Sequence, residues 1–228
     1  MGKIFNYDGP VFSFLSRVAD LLWLNTLFII CCIPIFTIGA ATSAMYYVTL
    51  KMVRNEESYI TKSFFKSFRQ NFKQGTGIWL IIFIILAVLV FDLRILAGGL
   101  SYDAIFNNQT MNNVVLVLIV AMDVLVLFVW IYVFPLLAKF DNTVKNMIKN
   151  AFFMSIRHLP QTFLIIAMYV IPLLLLYFFP QAFIGILIVF AVEAYLASFL
   201  FVKIFDKYLP KEEEVIEGEN DGQVQGEE

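Results

Sequence analysis

Of 228 residues, 61% are hydrophobic, 17% aromatic and only 15% charged, with a mean hydropathy of +0.82. Soluble domains average about 45–50% apolar and about 25% charged residues, so a soluble enzyme does not fit and an all-α, polytopic membrane helix bundle is expected. The net charge of −2 hides an asymmetry: residues 1–210 carry 15 Lys/Arg against 10 Asp/Glu, while residues 211–228 set Lys211 against eight acids. The body, at +5, reads as a single membrane domain suited to a lipid bilayer with anionic headgroups, and the −7 tail as a disordered acidic cytoplasmic end.

In chain order, residues 1–17 lack the pattern of a cleaved signal peptide. The first long apolar run begins near Val18 without a small-residue cleavage site, and Asn6 stands where an acylation motif needs Ser or Thr. Residues 21–50 carry no charge and would make a helix about 45 Å long, but Ile33-Pro34-Ile35-Phe36-Thr37-Ile38-Gly39 interrupts them. Either the chain turns back here, giving crossings at 13–33 and 38–54, or a single kinked crossing continues along the interface. Thr37 is placed to cap the helix that follows. Cys31 and Cys32 are adjacent inside this run, so they read as small buried residues rather than a disulfide, redox or zinc pair. With His158 as the sole histidine, no His-rich metal site is available and no metal or cofactor is expected.

Residues 55–73 read as a basic amphipathic interfacial helix. Phe64, Phe65, Phe68 and Phe72 recur at helical spacing, with Lys62, Lys66, Arg69 and Lys73 among them to snorkel toward phosphates. Crossings follow at 75–97 and 114–138, separated by an Asn-rich loop. A second interfacial helix, 141–157, carries Lys149 and Arg157. The uncharged run 159–192 exceeds one span, and Phe179-Pro180-Gln181 divides it into helices at 159–179 and 181–206, with Pro172 expected to kink the first. The segments 64–69 and 152–157 match at four of six positions, a weak repeat of span, basic helix and span, with the preceding spans ending at Pro34 and Pro135. Counting cations arbitrates the topology: a reversal at Pro34 leaves 15 Lys/Arg on one side against Arg94 alone, and no reversal leaves 13 against 3. Five or six crossings therefore fit. Six is favoured, with the protein in the plasma membrane and its C-terminus cytoplasmic.

Asp123 and Glu193 are the carboxylates placed near mid-membrane, where ionised acids are expensive. They could form an intramembrane polar or proton-linked site with Asn25, or serve as neutral hydrogen-bonding groups between helices, with Asn25, Thr26 or Tyr195 as partners. Asp92 and Arg94 read as a boundary pair, and His158 beside Arg157 as headgroup contact. The Lys62, Lys66, Arg69, Lys73, Lys149 and Arg157 set forms a candidate surface for lipid or a cytoplasmic partner. There is no phosphate loop, H-E-x-x-H or G-x-S-x-G pattern, so no enzymatic role is expected. Nucleic-acid binding is not expected either, since the cations lie beside spans where anionic lipid accounts for them.

Residues 8–80 resemble the YesL family of bacterial membrane proteins. The likeness rests on Asp8-Gly9-Pro10, Asn25, Ile33 through Ala41, Ala44-Met45-Tyr46-Tyr47, Lys51, Arg54 and Phe64 through Gln74. It implies a small polytopic protein of Gram-positive bacteria, an accessory component beside a carbohydrate (ABC-type) importer whose subunits would be its partners. It carries no catalytic residues over to this chain. A different class of function, an independent proton-coupled secondary transporter using Asp123 and Glu193, is compatible with the same spans.

Overall fold

The computed structural model describes residues 10–56, 59–97, 109–179, 185 and 188–209. The acidic tail, most of the Asn-rich loop and the Pro180-Gln181 part of the predicted break lie outside the described residues. Seven α-helices are described: α1 (Pro10–Cys32), α2 (Ile38–Val53), α3 (Ile60–Ala97), α4 (Gln109–Lys139), α5 (Val144–Arg157), α6 (Leu159–Phe178) and α7 (Val189–Phe205). Among the described residues no strand occurs. Three helices are long and apolar enough to cross a membrane, within Val11–Cys32, Ile60–Asp92 and Asn113–Lys139. A fourth candidate joins Val144–Arg157 to Leu159–Leu175 through a bend of 100°. The chain is thus a membrane-type helical protein, and α2 and α7, at 16 and 17 residues, fall short of a full crossing as described.

The chain does turn back at Pro34. Arg17 near the start of α1 reaches the carbonyl of Met52 near the end of α2 (3.5 Å), so the two helices form an antiparallel hairpin. A single 3₁₀ turn, Ile35–Thr37, makes the corner. Thr37 does not cap α2 as expected; its hydroxyl turns the other way, to the carbonyls of Cys31 and Pro34. The last carbonyls of a helix are as much in need of partners as the first amides, and the tight corner puts those of α1 within reach.

α2 is the centre of the bundle. Eleven of its residues are buried, Gly39, Ala40, Ala41, Ser43 and Ala44 among them, and it packs against α1, α3, α4 and α7. Small residues bring α2 and α3 into backbone contact: a β-carbon on Gly75 would lie 2.9 Å from the Ala40 backbone, and one on Gly39 would lie 2.7 Å from Trp79 Cβ. One turn further along, Asn71 donates to Ser43 (3.3 Å). These pairs fix an antiparallel register in which α2 lies beside residues 60–79 of α3, the 3₁₀ corner also packs on α3, and the apolar end of α3 runs on beyond them. Crossings at 38–54 and 75–97 would have lain side by side. The close Gly–Ala contact, which needs bare backbone on both helices, sets the other register.

Two further expectations are corrected. Residues 60–73 do not form a separate interfacial helix. They are the first four turns of the 38-residue α3, about 57 Å long, because nothing between Ile60 and Ala97 breaks the helix. Pro135 does not end α4, which continues to Lys139. The two members of the weak repeat therefore differ: the first runs straight into its span, and the second, α5, is a separate helix whose Thr143 N-cap accepts from Asn146 N (3.4 Å) and which bends sharply into α6.

Candidate functional site

The polar groups of the bundle collect along α2 and α7. On α2, Tyr46 is 2% exposed, and its hydroxyl hydrogen-bonds to that of Tyr169 on α6. Its ring meets the edge of Phe201 on α7 at 5.6 Å between centroids. Glu193 of α7 is half-buried. One turn toward the cationic end, Thr49 and Ser198 bond at 2.8 Å, fully buried. Nearby, Tyr132 of α4 pairs with Thr162 of α6 (2.9 Å), and the Thr162 hydroxyl lies within hydrogen-bonding distance of the carbonyls of Ser155 (2.9 Å) and His158 (3.0 Å). Hydroxyls at helix crossings serve well inside a bundle, since each can donate and accept without bringing a charge.

Asn25 belongs to this system. Its side chain is 0% exposed, and its Oδ1 accepts from Ala191 N in the first turn of α7 (3.0 Å), so α1 caps α7 across the bundle. Thr26 bonds within its own helix, to Leu22 O (2.9 Å). Tyr195 pairs with neither acid; its ring lies under Arg17 at 5.9 Å. Asp123 is half-buried on α4, and among the described residues it forms no hydrogen bond or ion pair with Glu193. Of the three residues singled out in the sequence, Asn25 is thus bonded two positions from Glu193 on α7, while α2 and α6 are joined by Tyr46 and Tyr169. Tyr46 stood in the quoted sequence motif, but its partner is 123 residues away, a separation that helical periodicity cannot bridge.

The cations from separate elements meet at one end of the bundle. Arg54 of the α2 terminus pairs with Asp206 beyond α7. Tyr47, Lys51, Arg54, Glu56, Lys139 and Phe205 line a cavity of about 210 Å³ there, with the Lys51 ammonium over the Tyr47 ring at 5.0 Å. His158 is not a headgroup contact: it is 7% exposed, its Nε2 shares a 3.0 Å hydrogen bond with Tyr208, and Arg157 stacks over the same ring at 5.6 Å. Burial, then the positive charges of Lys207 and Arg157, hold its pKa below the ordinary histidine value.

The six surface cations divide. Lys62, Lys66 and Arg69 line one open groove of about 820 Å³ together with Asp20 and Trp23 of α1, Tyr59 just before α3, and Ile60, Thr61 and Phe65 of α3. Lys73 lies outside it, and Lys149 and Arg157 are exposed on α5. The opposite face of the same α3 turns is fixed against the body by buried Ser63, Phe64 and Ser67, with Phe64 stacked on Phe68. Trp23 Nε1 donates to Thr61 (2.9 Å), tying the groove's two walls together. Residues 60–73 read as amphipathic in the sequence; the second wall, from α1, did not show there. Among the described residues no group of three or more His, Cys, Asp or Glu side chains is placed to hold a metal.

Residues 21–93 match the sequence model of a family described as "Protein of unknown function, DUF624". The match covers about a third of the chain and spans the second half of α1, all of α2 and nearly all of α3. No curated protein matches, and no solved structure does. The matched stretch holds Asn25, Tyr46, the Gly39–Gly75 crossing and all of the basic groove except Asp20. Glu193, Tyr169, Asp123 and α5 lie outside it.

Proposed function

We propose that this protein is a non-enzymatic plasma-membrane component, an accessory to a carbohydrate (ABC-type) importer, with its cationic end and C-terminus in the cytoplasm. The observation that carries the reading is the basic first half of α3. Lys62, Lys66 and Arg69 stand exposed on turns whose opposite face is locked into the bundle, so the surface is held in place without its charges being consumed by internal ion pairs. Such a surface suits anionic headgroups or an acidic partner. The positive-inside bias gives the side, and the resemblance of residues 8–80 to the YesL family gives the importer. Purification in mild detergent from native membranes, followed by mass spectrometry, is expected to recover importer subunits, and fewer of them from Lys62→Glu/Lys66→Glu. A chain that purifies repeatedly without partners sinks the importer role.

A second reading, a proton-coupled carrier using Asp123 and Glu193, draws support from two half-buried acids within the apolar helices α4 and α7. It requires that Glu193→Gln abolish proton-coupled uptake in vesicles while the protein stays folded. Vesicles that show no flux with the unaltered chain remove it.

A further inference from the structure

We infer that the groove between α1 and the first turns of α3 is a binding site for a single anionic phospholipid, with its phosphate on the Lys62–Lys66–Arg69 row and its headgroup hydroxyls toward Asp20. This rests on the preceding reading that these cations face the cytoplasmic leaflet, and it names the ligand of that surface. Spacings of four and three residues put the three cations on one stripe of α3. Among the described residues no ion pair occupies any of them, the salt bridge there being Arg54 with Asp206. The groove, at about 820 Å³, is of the size that holds a lipid headgroup and the start of its chains. Ile60 and Phe65 supply an apolar lining, and Trp23 and Tyr59, 51% and 85% exposed, place amphipathic rings at its edge, as is usual at headgroup level. Its walls thus match an amphiphile carrying one negative charge. Asp20 repels a phosphate from the α1 wall but accepts hydrogen bonds from hydroxyls, so a glycerol headgroup fits better than a second phosphate.

The test uses the full chain in mild detergent and phosphatidylglycerol or phosphatidylcholine with identical brominated acyl chains, followed by tryptophan quenching and native mass spectrometry. At about fivefold per cation, phosphatidylglycerol should be preferred about a hundredfold at low ionic strength, and less as salt is added. Lys62→Gln/Lys66→Gln/Arg69→Gln should bring the preference close to one with an unchanged melting curve, and Lys145→Gln/Lys149→Gln should leave it intact. Trp23→Phe should remove the phosphatidylglycerol-dependent quenching. Asp20→Asn should tighten binding of anionic lipid and narrow the margin by which phosphatidylglycerol exceeds phosphatidic acid. Persistence of the preference in the triple variant overturns the proposal. So does displacement by soluble glycerol phosphate at equal concentration, which would make this a free-phosphate site. A carbodiimide crosslink from Lys62 or Lys66 to an acid of residues 211–228 that survives added phosphatidylglycerol would give the groove to the tail and likewise overturn it. Because purified protein and lipid alone are used, failure of the importer reading leaves the assay unaffected.

Discussion

At the residue scale, glycine has opposite uses at two neighbouring positions of α3. Gly75 meets the Ala40 backbone so closely that any β-carbon must push the helices apart, whereas a β-carbon on Gly77 meets nothing within 4 Å. Gly75→Leu should therefore lower the stability of the detergent-solubilised protein by several kcal/mol, on the order of 2–4, through overpacking. Gly77→Ala should raise it by about 0.5–1 kcal/mol, since alanine is the better helix former. Thermal unfolding followed by circular dichroism compares the two, and equal effects would refute the close crossing. The Tyr46–Tyr169 bond makes a separate prediction. Single changes to Phe and the double change should show a coupling of about 0.5–1.7 kcal/mol, the range for hydrogen bonds between membrane helices; strict additivity would mean the hydroxyls do not interact.

At the element scale, the bend between α5 and α6 depends on His158. Thr162 reaches the carbonyls of Ser155 and His158, and the imidazole bonds to Tyr208 beyond α7, so one joint links α5, α6 and the end of the chain's last described helix. The folded protein holds His158 neutral, with its pKa below that of the unfolded chain. The unfolded state then binds the extra proton first. The contribution of a neutral His158 is fully present above about pH 6.5, the ordinary histidine value, and declines as pH falls from there toward the lower folded value. Melting temperatures between pH 8 and pH 5 should fall more for the unaltered protein than for His158→Gln. Parallel curves would show that the joint does not titrate.

At the scale of the whole molecule, the register of α2 against α3 bears on topology. From Gly75, which meets Ala40 in the first turn of α2, to Ala97 is about 33 Å of helix, one hydrocarbon thickness. If 76–97 crosses the bilayer, the corner of the α1–α2 hairpin stops on the near side instead of emerging on the far side with Arg94. Phe36, 49% exposed at the corner, reports the difference. In cells, Phe36→Cys should stay unlabelled by an impermeant maleimide added outside, while Arg94→Cys is labelled, both tested with Cys31 and Cys32 replaced by Ala. Equal labelling would show that the hairpin crosses completely, as six spans require.

Composition and hydropathy alone determine that the chain is a helical membrane protein, because a surface so poor in charge cannot face water. Periodicity finds the basic stripe on residues 60–73, and Pro34 marks the reversal, since proline and its neighbour resist helical continuation wherever the rest of the chain lies. Other features depend on distant partners. Thr37 caps backward because the corner is tight, Asn25 finds its partner 166 residues away on α7, and Tyr46 finds Tyr169 across 123 residues. The groove gains its second wall only when α1 folds beside α3. Local sequence records which face of a helix is apolar, but the choice of neighbour and register is made by close packing between elements far apart in the chain, and here two glycines and an alanine make it.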